Sequence, residues 1–266
     1  MDIESHNLRQ IRRTNQRGGR CLSVVDLIEA GTLCPDAAAL CWTLIDRGAA
    51  FITGAVPGGA GKTTLMAALL AFIPPGERIL TAKNHSVVER AARDEPDNPV
   101  CLLAHEIGRG SWFAYIWGRT ARKFFASNGP QRRPVTCLHA DTPDQTAEIL
   151  EECGVADEHI DAIDLHLYIR AFSTFRPRHR VTALHCRLDG DLVPAYRWEE
   201  NPDRLSPLIE RETLASAAED RFGLPPTQFI ELWEARRECL ERMQRESVRE
   251  FETVRSRVLE SYRGSR

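Results

Sequence analysis

The 266-residue chain has 42% hydrophobic and 27% charged residues, a balance that predicts a globular protein with one substantial core and a smaller appendage. Its formal net charge of −3 argues against a general nucleic-acid coat, so a nucleic-acid partner is not expected. No apolar run approaches the roughly 20 residues of a membrane helix. The first twenty residues carry arginines instead of the apolar core of a secretion signal, so we expect a cytoplasmic protein, which could still dock on a membrane complex.

The eight cysteines stand singly, without a Cys-x-x-Cys pair, and several lie inside apolar runs. This pattern favours reduced, buried thiols over disulfides or a zinc site. Charged residues form two clusters in the sequence. The predicted basic N-terminal arm carries Arg9, Arg12, Arg13, Arg17 and Arg20. The acidic patch consists of Glu148, Glu151, Glu152, Asp157 and Glu158. Solvated faces are the ordinary interpretation of both clusters.

The first half of the chain alternates helical and strand patterns after residues 1–20, which we expect to form a loose arm. Helices are predicted from Ser23 and from Pro35, where capping residues precede apolar runs. Residues 49–53 have the pattern of a buried strand leading into a glycine-rich loop, and a helix over 64–70 follows. The next predicted elements are a strand at 78–81, a helix and loop over 82–99 and a strand at 100–104.

The second half continues this alternation. We predict a helix over 111–126, a strand at 134–138 and a helix over 143–153. Strands at 181–184 and 193–198 are expected to close around an Asp189-Gly190 turn. Such alternation indicates an α/β fold with a mostly parallel sheet flanked by helices.

The composition changes beyond Pro202, where two helices are predicted over 206–221 and 226–262. The second carries apolar residues at three- and four-residue steps, which indicates packing on the protein's own core or against a partner. We therefore predict three parts: a basic arm at 1–20, an α/β domain at 21–202 that contains the glycine-rich loop, and a C-terminal helical region at 203–266.

The glycine-rich loop has the residues that a phosphate-binding loop requires. Glycines let the backbone curl around an anion, a lysine reaches the β and γ phosphates, and a hydroxyl ligates magnesium. The predicted nucleotide-binding residues are Gly58, Gly59, Ala60, Gly61, Lys62, Thr63 and Thr64. Val56 occupies the position where the pattern has its first glycine, which could shift the start of the loop. The alternative is a chance glycine-rich turn.

Several segments, in order, resemble the type II/type IV secretion ATPases, which drive pilus assembly, secretion and DNA transfer. The resemblance covers roughly residues 22–200. It is carried by Leu22–Gly31, the glycine-rich loop, Phe72–Thr81, Thr136–Pro143, Arg180–Leu184 and the Asp189-Gly190 turn. It implies a RecA-like core that binds ATP and Mg²⁺, ATP hydrolysis, a homo-oligomeric ring and a membrane-associated secretion or pilus complex as partner.

The resemblance also implies two catalytic residues. Glu106 follows the apolar strand at 100–104 and would organise the magnesium shell, together with Thr63, or polarise the attacking water. His139 matches a histidine of the family's histidine box and would donate a hydrogen bond toward the γ-phosphate. The alternatives are a carboxylate at an exposed strand end and a core or capping histidine.

Four positions depart from the family. His105 replaces a glycine before Glu106, and Arg132 replaces the first histidine of the box, where a guanidinium could still meet phosphate. Lys83 and Asn84 replace an acidic pair that contains the family's favoured general base. Either Glu106 alone activates water, or the protein is a switch or scaffold that binds ATP with little turnover.

Other features leave alternatives open. Aromatic and basic residues alternate over 112–125, which could bind single-stranded nucleic acid, but a helix would place Phe113, Trp117 and Phe124 in the core. Asp141, Asp144 and Asp164 form no close ligand cluster. A small-molecule kinase, with residues 119–133 as its lid, leaves the histidine box unexplained. An arginine acting in a neighbouring subunit could come from the N-terminal arm or from Arg176, Arg178 or Arg180.

Overall fold

The computed structural model describes residues 2–15, 18–173 and 177–264. The helices in that part of the chain are α1 (Ile3–Thr14), α2 (Val24–Glu29), α3 (Pro35–Asp46), α4 (Lys62–Leu69), α5 (His85–Arg93), α6 (Arg119–Phe125), α7 (Pro143–Glu152), α8 (Asp157–Ile160), α9 (Arg211–Phe222), α10 (Pro226–Arg245) and α11 (Phe251–Gly264). The strands are β1 (Phe51–Gly54), β2 (Arg78–Thr81), β3 (Val100–Leu103), β4 (Glu106–Ile107), β5 (Tyr115–Ile116), β6 (Arg132–Leu138), β7 (Leu165–Phe172), β8 (Arg178–Leu188), β9 (Asp191–Glu199) and β10 (Arg204–Pro207).

The strands form one sheet in the order β10-β9-β8-β7-β1-β6-β3-β2, with β4 pairing with β6 and β5. Strands β7, β1, β6, β3 and β2 run parallel, whereas β8, β9 and β10 are antiparallel. The expected α/β fold with a mostly parallel sheet is therefore confirmed. Because β6 lies between β1 and β3, the segments that follow these three strands emerge side by side at one edge of the sheet.

Helices cover both faces of the sheet, and each face has its own apolar core. Helices α2, α3, α4, α10 and α11 build the larger core, in which Trp42 stacks on Phe72 at 5.0 Å between ring centroids. Helices α5 to α8 build the smaller core around Phe124 and Phe125. All eight cysteines are free thiols, five of them buried, as expected for reduced apolar side chains.

The N-terminal segment is not a loose arm, so that prediction is wrong. It forms α1, which covers the edge strand β2. The Asn7 side-chain amide donates to the Glu77 carbonyl at 2.8 Å and accepts from the Ile79 N–H at 2.8 Å. An exposed edge strand leaves backbone groups unpaired, and Asn7 satisfies them as a neighbouring strand would. Of the arm's arginines, Arg17 lies outside the described residues.

The single helix predicted over 111–126 is also wrong. Tyr115–Ile116 is a short strand that pairs with β4, and the helix begins only at Arg119. Phe124 is buried as predicted, but Phe113 is 46% exposed. The parallel pairing of β5 with β4 outweighs the local helical preference, because it satisfies backbone groups that the sheet would otherwise leave open.

The C-terminal helices pack on the rest of the protein. The apolar stripe of α10 lies against α3, where Phe229 and Trp233 are buried and the Trp233 indole N–H donates to the Asp36 carbonyl at 2.9 Å. The predicted helix over 226–262 is interrupted between α10 and α11, where Ser247 has φ of 55°. Beyond residue 202, β10 also extends the sheet. No helix in the described ranges is long and apolar enough to cross a membrane.

The hairpin of β8 and β9 is confirmed, and its turn residues Asp189 and Gly190 both have positive φ, as a tight two-residue turn requires. The sequence analysis missed β7, which pairs with β1 on one side and β8 on the other. This strand carries His166, which is 1% exposed. The His166 Nδ1 lies 3.2 Å from the Tyr168 hydroxyl.

Burial of His166 makes the stability of the protein depend on pH. Burial, with the nearby charge of Arg187, lowers the pKa of His166 from 6.5 to about 3. Below pH 6.5 the unfolded chain binds a proton that the native ring refuses, so stability falls as the pH falls toward 3. We expect His166→Phe to reduce this fall. Urea unfolding at pH 7, 5.5 and 4.5 measures it, and an unchanged pH dependence in the variant would contradict the assignment.

Candidate functional site

The loop between β1 and α4 leaves a row of backbone donors without partners. Gly59 and Gly61 have φ of 85° and 103°, conformations that side chains other than glycine rarely adopt. Within the described ranges, no hydrogen bond engages the N–H groups of Gly58 to Thr64. Those of Lys62, Thr63 and Thr64 belong to the first turn of α4, where helical N–H groups have no internal acceptor. Such a row is the arrangement of donors that anion-binding nests in proteins have.

Neighbouring atoms leave little room for a side chain at Gly61 in the loop and at Gly54, the last residue of β1. A Cβ on Gly61 would lie 3.2 Å from Ile169 Cδ1 and 3.4 Å from His179 Nδ1. At the end of β1, a Cβ on Gly54 would lie 2.4 Å from the Ala140 carbonyl oxygen. Val56 has no positive φ and its side chain is 48% exposed, so a valine is accommodated at the start of the loop.

Two side chains distant in sequence hold the loop. The Asp141 carboxylate accepts from the Val56 N–H at 2.9 Å and pairs with Arg170 at 3.2 Å. On the other side, His179 Nδ1 lies 2.8 Å from the Ala60 carbonyl, to which it donates. The sequence analysis did not assign these roles. Only Asp141 had a sequence signal, because it follows the histidine-box residue His139 by two positions.

Lys62, Glu106 and His139 meet beside the loop. Lys62 is 6% exposed and Glu106 is 7% exposed, and their charged groups are 3.7 Å apart. The His139 Nε2 lies 3.0 Å from Glu106 Oε1, and its Nδ1 lies 2.8 Å from the Val56 carbonyl. Lys62 Nζ also donates to the Ala55 carbonyl at 3.2 Å. The predicted lysine, glutamate and histidine therefore share one cluster.

The sheet order accounts for this convergence. Lys62 follows β1, His139 follows β6, and Glu106 begins β4, three residues after β3 ends. Strand β6 lies between β1 and β3 in the sheet, so His139 is placed between the loop and Glu106. A lysine and a carboxylate beside a row of free backbone N–H groups are among the groups that phosphoryl-transfer chemistry uses.

Two buried groups near the cluster stay uncharged at neutral pH. Burial raises the pKa of the Cys137 thiol to about 12, so the thiolate is not populated. Burial also lowers the pKa of His105 to about 4. His105 is 2% exposed, and its ring lies edge-on to Phe113 at 5.3 Å between ring centroids, so it packs in the core and supplies no charge to the cluster.

Lys83 and Asn84 lie at the end of β2, and both are exposed. The Asn84 side chain caps α5 by accepting from the Val87 N–H at 3.0 Å. An N-cap of this kind stabilises a helix by about 1 kcal/mol. Asn84 therefore has a structural role where the resemblance implies an acid, and Glu106 is the carboxylate that contacts Lys62.

Arg132 does not reach the cluster. Arg132 begins β6 and His139 follows its end, so the two are about 20 Å apart; Arg132 donates instead to the Asp94 carbonyl at 2.8 Å. The hypothesis that Arg132 meets phosphate is wrong. Arg180 forms two 2.7 Å hydrogen bonds with Asp203, which Arg178 also contacts at 3.3 Å. Arg176 lies outside the described residues.

No protein-family model and no curated protein matches the chain. Solved structures that match part of the chain include the following two. The VirB11 ATPase of the Brucella suis type IV secretion system, solved with sulphate, is 16% identical with a TM-score of 0.42 over 69% of this chain and 62% of that one. The Legionella pneumophila ATPase DotB is 12% identical with a TM-score of 0.35 over 81% and 55%. The chain thus spans less than two thirds of either protein.

Proposed function

We propose that this chain binds ATP at the loop from Gly58 to Thr64 and acts in the cytoplasm as a RecA-like motor domain of the secretion-ATPase kind. The observation that carries the proposal is the row of unpaired N–H groups around the buried Lys62 amino group. Unpaired donors and a buried cation together favour a multiply charged anion such as a triphosphate.

The donor set also suits magnesium. The Thr63 hydroxyl and the Glu106 carboxylate are the oxygen ligands that Mg²⁺ prefers, and they would hold the ion beside the phosphates. Bound there, Mg²⁺ neutralises charge on the phosphate oxygens. Lys62 would contact the terminal phosphates, and its ion pair with Glu106 holds that carboxylate at the edge of the nest.

Glu106 is the proposed general base, because it is the carboxylate in contact with Lys62 and His139. His139 would orient it, since one ring nitrogen faces Glu106 and the other faces the Val56 carbonyl of the loop. The histidine thereby connects the base to the loop backbone. Loss of the terminal phosphate near Glu106 would therefore alter the loop backbone at Val56 through His139.

We expect Glu106→Gln to lower the rate of ATP hydrolysis about a hundredfold, because an amide cannot accept the proton of the attacking water. ATP affinity should change little, since the loop donors remain. Steady-state phosphate release and a binding titration separate the two effects. Glu231→Gln, an exposed change on α10, is the matched control, and wild-type turnover by Glu106→Gln would remove the catalytic assignment.

The second candidate function is a nucleotide-dependent switch or scaffold. The observation that favours it is Asn84, which caps α5 at a position where the resemblance implies a general base. Turnover and particle mass, measured together with and without ATP, decide between the two functions. Turnover by a homo-oligomer supports the motor, whereas monomers that bind ATP without turnover support the switch.

A further inference from the structure

A second basic site lies on the other face of the sheet, in a cleft of about 320 Å³ between α5, α6 and α8. It shares no residue with the loop site. Its charged and titratable lining residues are His85, Glu89, Arg119, Arg122, Lys123 and His159. Three cations face a single carboxylate there, so the cleft has a net positive charge.

The cations of α6 form no salt bridge within the described part of the chain. Arg119, Arg122 and Lys123 are exposed and form no ion pair with any described residue, whereas Arg211, Arg236 and Arg237 on α9 and α10 are paired. Arg119 also stands three and four residues before the other two, a spacing at which like charges repel on a helix. A helix that concentrates unpaired like charges on one side of a cleft is suited to an anion from outside.

His85 adds a directed donor. Its Nδ1 lies 3.2 Å from the Thr120 hydroxyl, and its Nε2 is buried without a partner among the described residues. When the Thr120 hydroxyl donates to Nδ1, the ring proton is on Nε2, which then needs an acceptor. A buried donor without an acceptor is costly, so this ring leaves an unsatisfied hydrogen-bonding group in the wall of the cleft.

The dimensions and lining favour a small phosphate-bearing molecule. The Arg122 guanidinium lies over the backbone of Gly154, where a Cβ would be 3.7 Å away, so the cleft is bounded on that side by the loop after α7. Single-stranded nucleic acid needs aromatic side chains on which bases stack, and no aromatic residue except the histidines lines the cleft. Arginine forks match phosphate oxygens in pairs.

We propose that this cleft binds a phosphate-bearing small anion, held by Arg119, Arg122, Lys123 and His85. Inorganic pyrophosphate is the probe. Because pyrophosphate would also enter the loop site, the calorimetric titration is made in Lys62→Ala protein, in which the loop site is weakened. The cleft residues lie outside the ATP site, so this inference and the proposed function fail independently.

We expect Lys62→Ala protein to retain one pyrophosphate site. Adding Arg122→Gln and Lys123→Gln should weaken it at least about tenfold, since each lost charged hydrogen bond contributes that order of affinity. Adding Arg9→Gln and Arg13→Gln instead removes the same charge from exposed positions of α1 and should leave the affinity within about twofold. His85→Ala should also weaken binding.

Three outcomes would overturn the proposal. The first is a Lys62→Ala protein that does not bind pyrophosphate. The second is equal weakening by the α6 and α1 double changes, which would show only general charge attraction. The third is tighter binding of a single-stranded oligonucleotide than of pyrophosphate, lost with the α6 changes, which would assign the cleft to nucleic acid.

Discussion

Replacing Lys62 by alanine is expected to weaken ATP binding about a hundredfold, or about 3 kcal/mol, and to abolish measurable turnover. The lysine supplies a charged donor in a pocket where it is only 6% exposed, and charge-assisted hydrogen bonds are strongest where water is excluded. The loss is compounded because Glu106, 3.7 Å away, would face the phosphates without the cation between them. A titration with ATP or a fluorescent analogue measures the change.

The control for Lys62→Ala is Lys83→Ala. Lys83 is exposed after β2, so its removal takes away the same charge without touching the loop, and affinity should stay within about twofold. Lys62→Met retains most of the apolar stem and guards against misfolding as the cause. ATP affinity at the wild-type level in a folded Lys62 variant would overturn the proposed binding site.

The second large effect is expected from Arg133→Met, which should lower the free energy of unfolding by about 4 kcal/mol. Arg133 and Glu77 are 5% and 3% exposed, and the guanidinium bonds both carboxylate oxygens. It also donates to the carbonyls of Ile45 and Ala49. Removing it leaves Glu77 buried without its cation, which costs more than the pair itself contributes.

A double-mutant cycle tests this interpretation. Glu77→Leu combined with Arg133→Met removes both charges, and the double variant should recover much of the stability lost by Arg133→Met alone. Urea unfolding of the four proteins, analysed with one common m-value, gives the four free energies of unfolding. If the single change costs less than about 1 kcal/mol, the pair is not the structural anchor that its burial indicates.

Much of the candidate site could be predicted because its parts are local in sequence. The glycines, Lys62 and Thr63 stand in one short run, and their spacing alone determines that a loop followed by a helix presents free N–H groups. Glu106 and His139 each follow an apolar strand, and parallel strands of one sheet end at one edge. The resemblance implied roles for Glu106 and His139, and in the structure Glu106 contacts both Lys62 and His139.

The rest of the site depended on contacts that no local pattern encodes. His179 reaches the Ala60 carbonyl across 119 residues, and Arg170 reaches Asp141 from β7. Arg170 lies on β7 and His179 on β8. The sequence pattern did not predict β7, which is the strand that brings both residues to the loop. Asn84 stands where the resemblance implies an acidic residue, but because it precedes α5 it caps that helix instead.

Arg132 shows the same limit of alignment by motif. Its position in the histidine-box pattern suggested a phosphate contact. An extended strand, however, separates residues seven positions apart by about 20 Å, so Arg132 lies at the far end of β6. Arg132 does stand seven residues before His139, as the motif requires, but it lies away from the cluster because β6 extends from Arg132 to Leu138.

The sequence by itself determined the α/β class and the place of the glycine-rich loop between a strand and a helix, because periodicity and glycine spacing act within a few residues. Only the tertiary structure decided that residues 3–14 form a helix on the edge of β2, that β5 interrupts the predicted helix at 111–126, and that the C-terminal helices join the main core. These outcomes depend on which backbone groups and apolar faces remain unpaired once the sheet has formed. That is a property of the whole fold and of no single segment.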